Sequence, residues 1–286
     1  MGLDRVGVVG CGLMGSGIAE VVAKSGAEVF VVEANEAAAK AGRERIERSL
    51  STAVARRKLD ETASDEILAR LHVLDDFDAL RDCQLVIEAV PEVEQLKVDT
   101  FKRLDEVVAG DDAVLASNTS SIPIMKLAIA TRRPEQVLGL HFFNPVPVLP
   151  LVELVASLLT SDESAQVAAA FVHDQLGKHV IRSQDRAGFI VNSLLIPYLL
   201  SAIRMLESGF ASADDIDNGM VQGCAHPMGP LALTDLIGLD TTMAVAESLY
   251  EEFKEPLYAP PPLLSRMVDA GLLGRKSGRG FYDYSR

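Results

Sequence analysis

Arg5-Val-Gly-Val-Val-Gly-Cys-Gly-Leu-Met-Gly15 is the stretch on which the fold turns. Arg5–Val9 is a short apolar run with β-branched residues, the pattern of a parallel strand buried on both faces. Gly10-Cys-Gly-Leu-Met-Gly15 follows at once. Ser16 to Ser25 then has helical apolar spacing at Ile18, Val21 and Val22 until Gly26 stops it. Glu28-Val-Phe-Val-Val32 is a second strand, and it ends at Glu33. Strand, glycine turn, helix, strand, acid is the order that dinucleotide sites use. The glycines permit a tight turn, close approach of backbone to a pyrophosphate, and close packing of helix on strand. A helix N-terminus adds N–H groups and partial positive charge for the phosphates. Gly10, Gly12, Leu13, Met14 and Gly15 are therefore candidate cofactor residues. Glu33 is expected to accept from the adenine-ribose hydroxyls and to repel a 2′-phosphate, which favours NAD over NADP. Along the chain no arginine stands close by to compensate before Lys40 and Arg43.

The strand–helix alternation continues outward from there. Asn35 or Glu36 opens a helix through Arg57, and Asp60–Leu71 folds back on it as a hairpin. The first of these helices carries Lys40, Arg43, Arg45, Arg48, Arg56 and Arg57, with Lys58 just beyond. That is the densest positive patch in the chain, either a solvated face or a place for a second anionic ligand. Strands are expected at His72–Leu74, Leu85–Val90, Ala113–Ser117, Val137–His141 and Lys178–Ile181. Helices are expected at Gln95–Val108, Ile122–Ala130 and Ser161–Leu176. Ligands of a doubly wound sheet sit off the carboxyl ends of its strands. Glu92, Asn118 and Ser120 follow strands in that position. Helix capping competes as an explanation for each, and suits Ser121, just before Pro123, best.

Gly139-Leu-His-Phe-Phe-Asn-Pro-Val-Pro-Val-Leu-Pro-Leu-Val-Glu153 holds the candidate base, His141. Asn144 follows three residues later. Pro145, Pro147 and Pro150 rule out a helix or a central strand there, leaving a stiff loop between two apolar runs. Such a loop can return Glu153 to His141, where a carboxylate would fix the tautomer and raise the basicity of the imidazole. It can equally be a surface loop in which the two never meet. His72, His173, His179 and His226 lack this setting.

The 286 residues are 48% hydrophobic and 24% charged, the profile of a soluble globular chain with one large core or two moderate ones. A net charge of −14 argues against nucleic acid. No apolar run reaches the ~18 residues of a membrane span. The N-terminus lacks the marks of a secretory signal, so a cytoplasmic location is expected. Cys11, Cys83 and Cys224 have neither disulfide-scaffold nor metal-ligand spacing, and no metal is expected. After Ser183 strand patterns vanish and helical ones take over: Phe189–Glu207, Ser212–Gly223, Gly229–Ile237, Asp240–Phe253 and Leu263–Ala270. The expected organisation is α/β, a doubly wound nucleotide domain over 1–183 with a helical hairpin insertion near 36–71, then an all-helical domain over 184–286. Asn192 lies within an apolar helix and needs a partner, either in the core or at an inter-domain cleft.

Taken together these segments resemble the L-3-hydroxyacyl-CoA dehydrogenases, especially the bacterial 3-hydroxybutyryl-CoA dehydrogenase branch. The motifs are Val8-Val-Gly-Cys-Gly-Leu-Met-Gly15, Ala116-Ser-Asn-Thr-Ser-Ser121, His141-Phe-Phe-Asn-Pro-Val-Pro147, Gly188-Phe-Ile-Val-Asn192, Met228-Gly-Pro230 and Gly274-Arg-Lys-Ser-Gly-Arg-Gly-Phe-Tyr282. The resemblance spans the chain and implies a Rossmann-like first domain. It implies that His141 is the general base and Glu153 its partner. It places Ser120, Asn144 and Asn192 around the substrate, Glu92 and Lys97 on the nicotinamide side of NAD, and Ser49 and Arg56 against coenzyme A. It further implies an acyl-CoA substrate such as acetoacetyl-CoA or 3-hydroxybutyryl-CoA, and a homodimer formed through the helical domain. Two rivals stand beside it: a gulonate-type sugar-acid dehydrogenase of the same family, and a non-catalytic NAD-binding protein. The Phe142-Phe143 pair and the basic hairpin favour the thioester. The intact His141, Asn144 and Glu153 argue against a non-catalytic role.

Overall fold

The computed structural model describes residues 2–285. Its contacts divide the chain into two units, residues 1–185 and 186–286. The first unit is built on an eight-stranded sheet in the order β3-β2-β1-β4-β5-β6-β7-β8. The strands are β1 (Arg5–Val9), β2 (Glu28–Val32), β3 (Leu71–Leu74), β4 (Leu85–Glu88), β5 (Val114–Ser117), β6 (Val137–Phe142), β7 (Leu151–Ala156) and β8 (His179–Gln184). The strands β1 to β6 are parallel; β7 runs antiparallel to β6, and β8 is parallel to β7. The apolar run after the proline loop is thus a strand in its own right. Strand β8 runs on to Gln184, one residue past the expected end of the nucleotide domain.

Six helices pack on this sheet: α1 (Leu13–Lys24), α2 (Glu36–Ala55), α3 (Glu61–Ala69), α4 (Glu94–Val107), α5 (Ile124–Ala128) and α6 (Asp162–Ala170). Alternation along each strand feeds both faces. Leu85 and Ile87 of β4 join a core with Ile18 and Val22 of α1, Ile46 and Leu50 of α2, and Ile67 of α3. Val86, between them, is left for the opposite face, and α4 and α5 bury Phe101, Leu104, Ile124 and Leu127. The hairpin therefore does more than project. Its inner stripe is sheet core, where each buried Leu or Ile contributes about 1.5–3 kcal/mol. Its capping is legible in the sequence: Asn35 and Asp60 accept from Ala38 N–H and Ala63 N–H.

The second unit is α-helical: α7 (Val191–Glu207), α8 (Ala213–Cys224), α9 (Pro230–Ile237), α10 (Leu239–Phe253) and α11 (Pro262–Asp269). Ile196, Leu200, Ile203, Leu231, Leu239, Leu249 and Leu264 form its core. Two buried aspartates tie the carboxyl-terminal segment down. Asp235 accepts from Phe281 N–H and Tyr282 N–H at 2.9 Å each, and Asp217 accepts from the Tyr282 hydroxyl at 3.0 Å. A Cβ at Gly280 would collide with the Asp235 carboxyl. The Gly274–Tyr282 motif is thus accounted for by packing within this unit.

Candidate active site

The carboxyl ends of the parallel strands converge on one edge of the sheet, and the chemistry gathers there. Gly10 follows β1 with φ +90°, a conformation that disfavours side chains, and a Cβ on it would lie 2.7 Å from the Ala89 carbonyl. A Cβ on Gly15 would run into the Gly10 carbonyl, whereas one on Gly12 meets nothing within 4 Å. Helix α1 starts at Leu13 rather than at Ser16. Its N-cap, Gly12, makes no side-chain cap, and its first turn holds no acid. The opening N–H groups of α1 are therefore aimed off the sheet edge above an uncluttered glycine, which suits a pyrophosphate. Leu13 is exposed. The Met14 side chain packs on the core, so its share in such a cradle is its backbone.

Glu33, at the end of β2, braces this loop. Its carboxylate accepts from Cys11 N–H at 2.6 Å and from Ala34 N–H at 3.1 Å. The neighbouring thiol is inert: burial and the Glu33 charge, against Arg45, push Cys11 up to about 12. Arg45 stands closer to the loop than its spacing along the chain suggests. Helix α2 carries it back to the loop, where its Nη1 donates to the Cys11 carbonyl at 2.7 Å.

A buried ionic cluster closes the ends of β4 and β5. Glu88, fully buried, accepts from Lys97 Nζ at 2.6 Å, Ser117 Oγ at 2.6 Å and Val90 N–H at 2.7 Å. The Lys97 ammonium also reaches the Val90 carbonyl at 3.2 Å and Glu92 Oε2 at 3.3 Å. Its three protons thus have acceptors inside the protein, and the side chain is 1% exposed. Within the protein, Lys97 orients Glu92 at the ligand edge. Glu92 in turn accepts from the Thr119 hydroxyl, Ser120 N–H at 3.0 Å and Ser121 Oγ at 3.2 Å. Burial would raise the Glu92 carboxyl, but Lys97 and the Thr119 and Ser120 donors outweigh it and hold it low.

This cluster fixes the turn after β5. Asn118 Oδ1 accepts from Phe142 N–H at 2.9 Å, so that oxygen serves to pin β6. Ser121 does not cap α5; Asp185 does, accepting from Ile124 N–H and Met125 N–H at 2.7 Å each. Ser120 is half-buried, and its backbone is held by Glu92. Glu88, Ser117 and Thr119 are functional neighbours that the sequence reading passes over. The available signal is an acid ending the otherwise apolar run Leu-Val-Ile-Glu, with a lysine nine positions on, since a charge in a buried strand must be paired.

His141 and Glu153 face each other across the antiparallel pair β6–β7. His141 Nδ1 lies 2.7 Å from Glu153 Oε2, with Glu153 fully buried and His141 6% exposed. The Phe143 ring packs on the imidazole in a T-shaped contact, centroids 4.6 Å apart. Phe142 is core, so Phe143 alone of that pair lies beside the imidazole. The intervening loop is anchored at two points. Val146 packs where a Cβ on Gly17 of α1 would sit, 2.9 Å away. Lys178, buried and with no carboxylate partner among the described residues, donates to the Val146 and Leu149 carbonyls at 2.7 Å each. Asn144 stands exposed on this loop.

The remaining expected residues lie on α2 and α7. Burial raises the Glu20 carboxyl of α1, against the opposing influence of the Ser49 hydroxyl of α2 and of Lys24. Arg56, at the end of α2, is exposed. Asn192 stands in the first turn of α7. Among the described residues no cluster of His, Cys, Asp and Glu has metal-site geometry.

Comparison with known proteins agrees with this geometry. Residues 5–186 match the family of the 3-hydroxyacyl-CoA dehydrogenase NAD binding domain, and residues 188–284 that of the 3-hydroxyacyl-CoA dehydrogenase C-terminal domain. A 3-hydroxybutyryl-CoA dehydrogenase of Mycobacterium tuberculosis is 60% identical over 282 residues, covering 99% of each chain. The crystal structure of M. tuberculosis FadB2 superposes with a TM-score of 0.98 at 59% identity, covering 99% of this chain and 100% of that one. The (S)-3-hydroxybutyryl-CoA dehydrogenase PaaH1 of Ralstonia eutropha does so with a TM-score of 0.94 at 46% identity, covering 99% and 100%.

Proposed function

The chain belongs to the 3-hydroxyacyl-CoA dehydrogenase family, and from that premise we infer that it oxidises (S)-3-hydroxyacyl-CoA reversibly with NAD, on a short acyl chain such as 3-hydroxybutyryl-CoA. The observation that carries the mechanism is the buried His141–Glu153 pair at the ligand edge of the sheet. Glu153 on Nδ1 fixes the tautomer, so Nε2 is the nitrogen that takes the substrate's hydroxyl proton. In reduction the same Nε2–H protonates the forming alkoxide. Glu153 stabilises the imidazolium between the two events. Acid–base help of this kind is worth about 10²–10⁴-fold. The chemistry that a bound NAD supplies is acceptance of a hydride from C3. Gly10, Gly12, Leu13, Met14 and Gly15 would hold its diphosphate and Glu33 its ribose, with Glu92, Lys97 and Asn118 shaping the nicotinamide end. Ser120 and Asn144 are proposed to donate to the substrate oxygens, where charge develops. Ser49 and Arg56 remain the coenzyme A candidates, and Asn192 a further substrate residue, by family resemblance.

A homodimer through the helical unit is part of the same proposal. Exposed Phe210 and Leu194 of that unit give it apolar surface to bury. No helix among the described residues is long and apolar enough to cross a membrane, and a cytoplasmic location is proposed. The test follows NADH absorbance with acetoacetyl-CoA, then NAD reduction with a sugar acid such as gulonate. Turnover of the thioester supports the proposal; turnover of the sugar acid alone, or of neither, overturns it.

A further inference from the structure

Helix α2 delivers to the phosphate loop a cation that the spacing along the chain conceals. Arg45 Nη1 holds the Cys11 carbonyl at 2.7 Å, while the Cys11 N–H is held by Glu33 at 2.6 Å. A guanidinium and a carboxylate thus grip opposite backbone groups of one loop residue. The approach is close because residue 42 is glycine: a Cβ there would lie 2.6 Å from the Cys11 Cβ and 2.7 Å from its Sγ. Arg43 is committed elsewhere, to Glu47 at 3.0 Å and the Leu71 carbonyl at 3.3 Å. Arg45 has five N–H donors in a planar fork, of which the Cys11 carbonyl takes one. An acid at this place in such folds selects an unphosphorylated ribose, and an arginine nearby accommodates a 2′-phosphate.

We propose that Arg45 is a second specificity-determining residue of the adenosine-ribose site, one whose positive charge Glu33 masks, so that neutralising Glu33 alone makes the site accept a 2′-phosphorylated nucleotide. The inference rests on the NAD-dependent reading above. It differs from that reading in assigning a role to a residue of α2, outside the glycine motif and the acid. Arg45 also links the phosphate loop to the helix that carries Ser49 and Arg56.

The test is nucleotide binding by the whole chain, read by calorimetry with ADP and with 2′,5′-ADP. Four proteins are compared: wild type, Glu33→Gln, Arg45→Met and the double variant. The amide oxygen introduced by Glu33→Gln can still accept from Cys11 N–H, so the loop keeps its brace while the charge goes. The wild type should favour ADP. Glu33→Gln should raise the affinity for 2′,5′-ADP relative to ADP by about ten-fold or more, the size of one charge-assisted hydrogen bond. The double variant should lose most of that gain. An equal gain in single and double variants, or no gain at all, overturns the proposal, as does a wild type that binds neither nucleotide. Should Arg45→Met fail to fold, Arg45→Gln makes the same comparison. NADH oxidation by wild type with acetoacetyl-CoA is run beside it. Missing turnover with an intact ribose switch would sink the function and leave this inference standing; normal turnover without the switch would sink the inference alone.

Discussion

Replacing Glu153 with Gln removes one charge from the centre of the mechanism and almost nothing else. The backbone register His141↔Glu153 belongs to the β6–β7 ladder and does not depend on the side chain. The lost interaction is a 2.7 Å contact to Nδ1, with the carboxylate fully buried. Unit charges about 4 Å apart attract by about 4 kcal/mol at an effective dielectric of about 20, and a hydrogen bond to a charged group is worth about 1.5–3 kcal/mol. Taking about 3 kcal/mol as the part felt by the imidazolium in the transition state, the rate should fall about 10²-fold. The Gln amide also offers donors to Nδ1, which favours the wrong tautomer. The assay is single-turnover stopped-flow of NADH absorbance with acetoacetyl-CoA, with NADH affinity measured separately by fluorescence. Affinity should stay at the wild-type level, because Glu33 and the α1 N-terminus are untouched. A single-turnover rate within about three-fold of wild type would refute the assignment of Glu153 as an electrostatic partner of the base.

Two further outcomes follow from buried charges around the site. Lys97→Met leaves fully buried Glu88 without its cation and removes the lysine partner of Glu92; the expected loss is about 3–5 kcal/mol in urea unfolding, and a loss below about 1 kcal/mol would contradict the pairing. Burial, with Lys24 nearby, holds the Lys178 ammonium below the ordinary lysine range. The unfolded chain then binds that proton more tightly than the folded one, so the Lys178 contribution to stability rises with pH from the lowered native value towards about 10.4. The stability of the wild type relative to Lys178→Met should therefore rise as the pH climbs towards about 10.4, and a difference that stays flat or falls would count against it.

Much of the first unit can be read along the chain because its signals are local. Buried parallel strands are unbroken apolar runs, and Arg5–Val9 and Glu28–Val32 emerge with the bounds expected for them. Element ends are harder where a backbone or distant group decides them. Helix α1 begins inside the glycine motif, at Leu13, with Gly12 as its N-cap. Helix α5 is shorter than expected and is capped by Asp185, about 60 residues away, rather than by the adjacent Ser121. The antiparallel strand β7 reads as one side of a loop, since three prolines precede it. Its pairing with β6 is a long-range event that those prolines allow but do not announce.

By itself, then, the order of residues determined the nucleotide fold, its acid at the second strand and the candidate base, since each depends on neighbours within a few positions. Only the folded chain decided which charges meet. His141 joins Glu153 through a strand register, Lys97 turns inward to Glu88, and Arg45 reaches Cys11 across a helix packed on a glycine. Contacts of that kind are set by which faces of the sheet and helices are buried together. Charges far apart in sequence then share one low-dielectric edge, where each must find a partner.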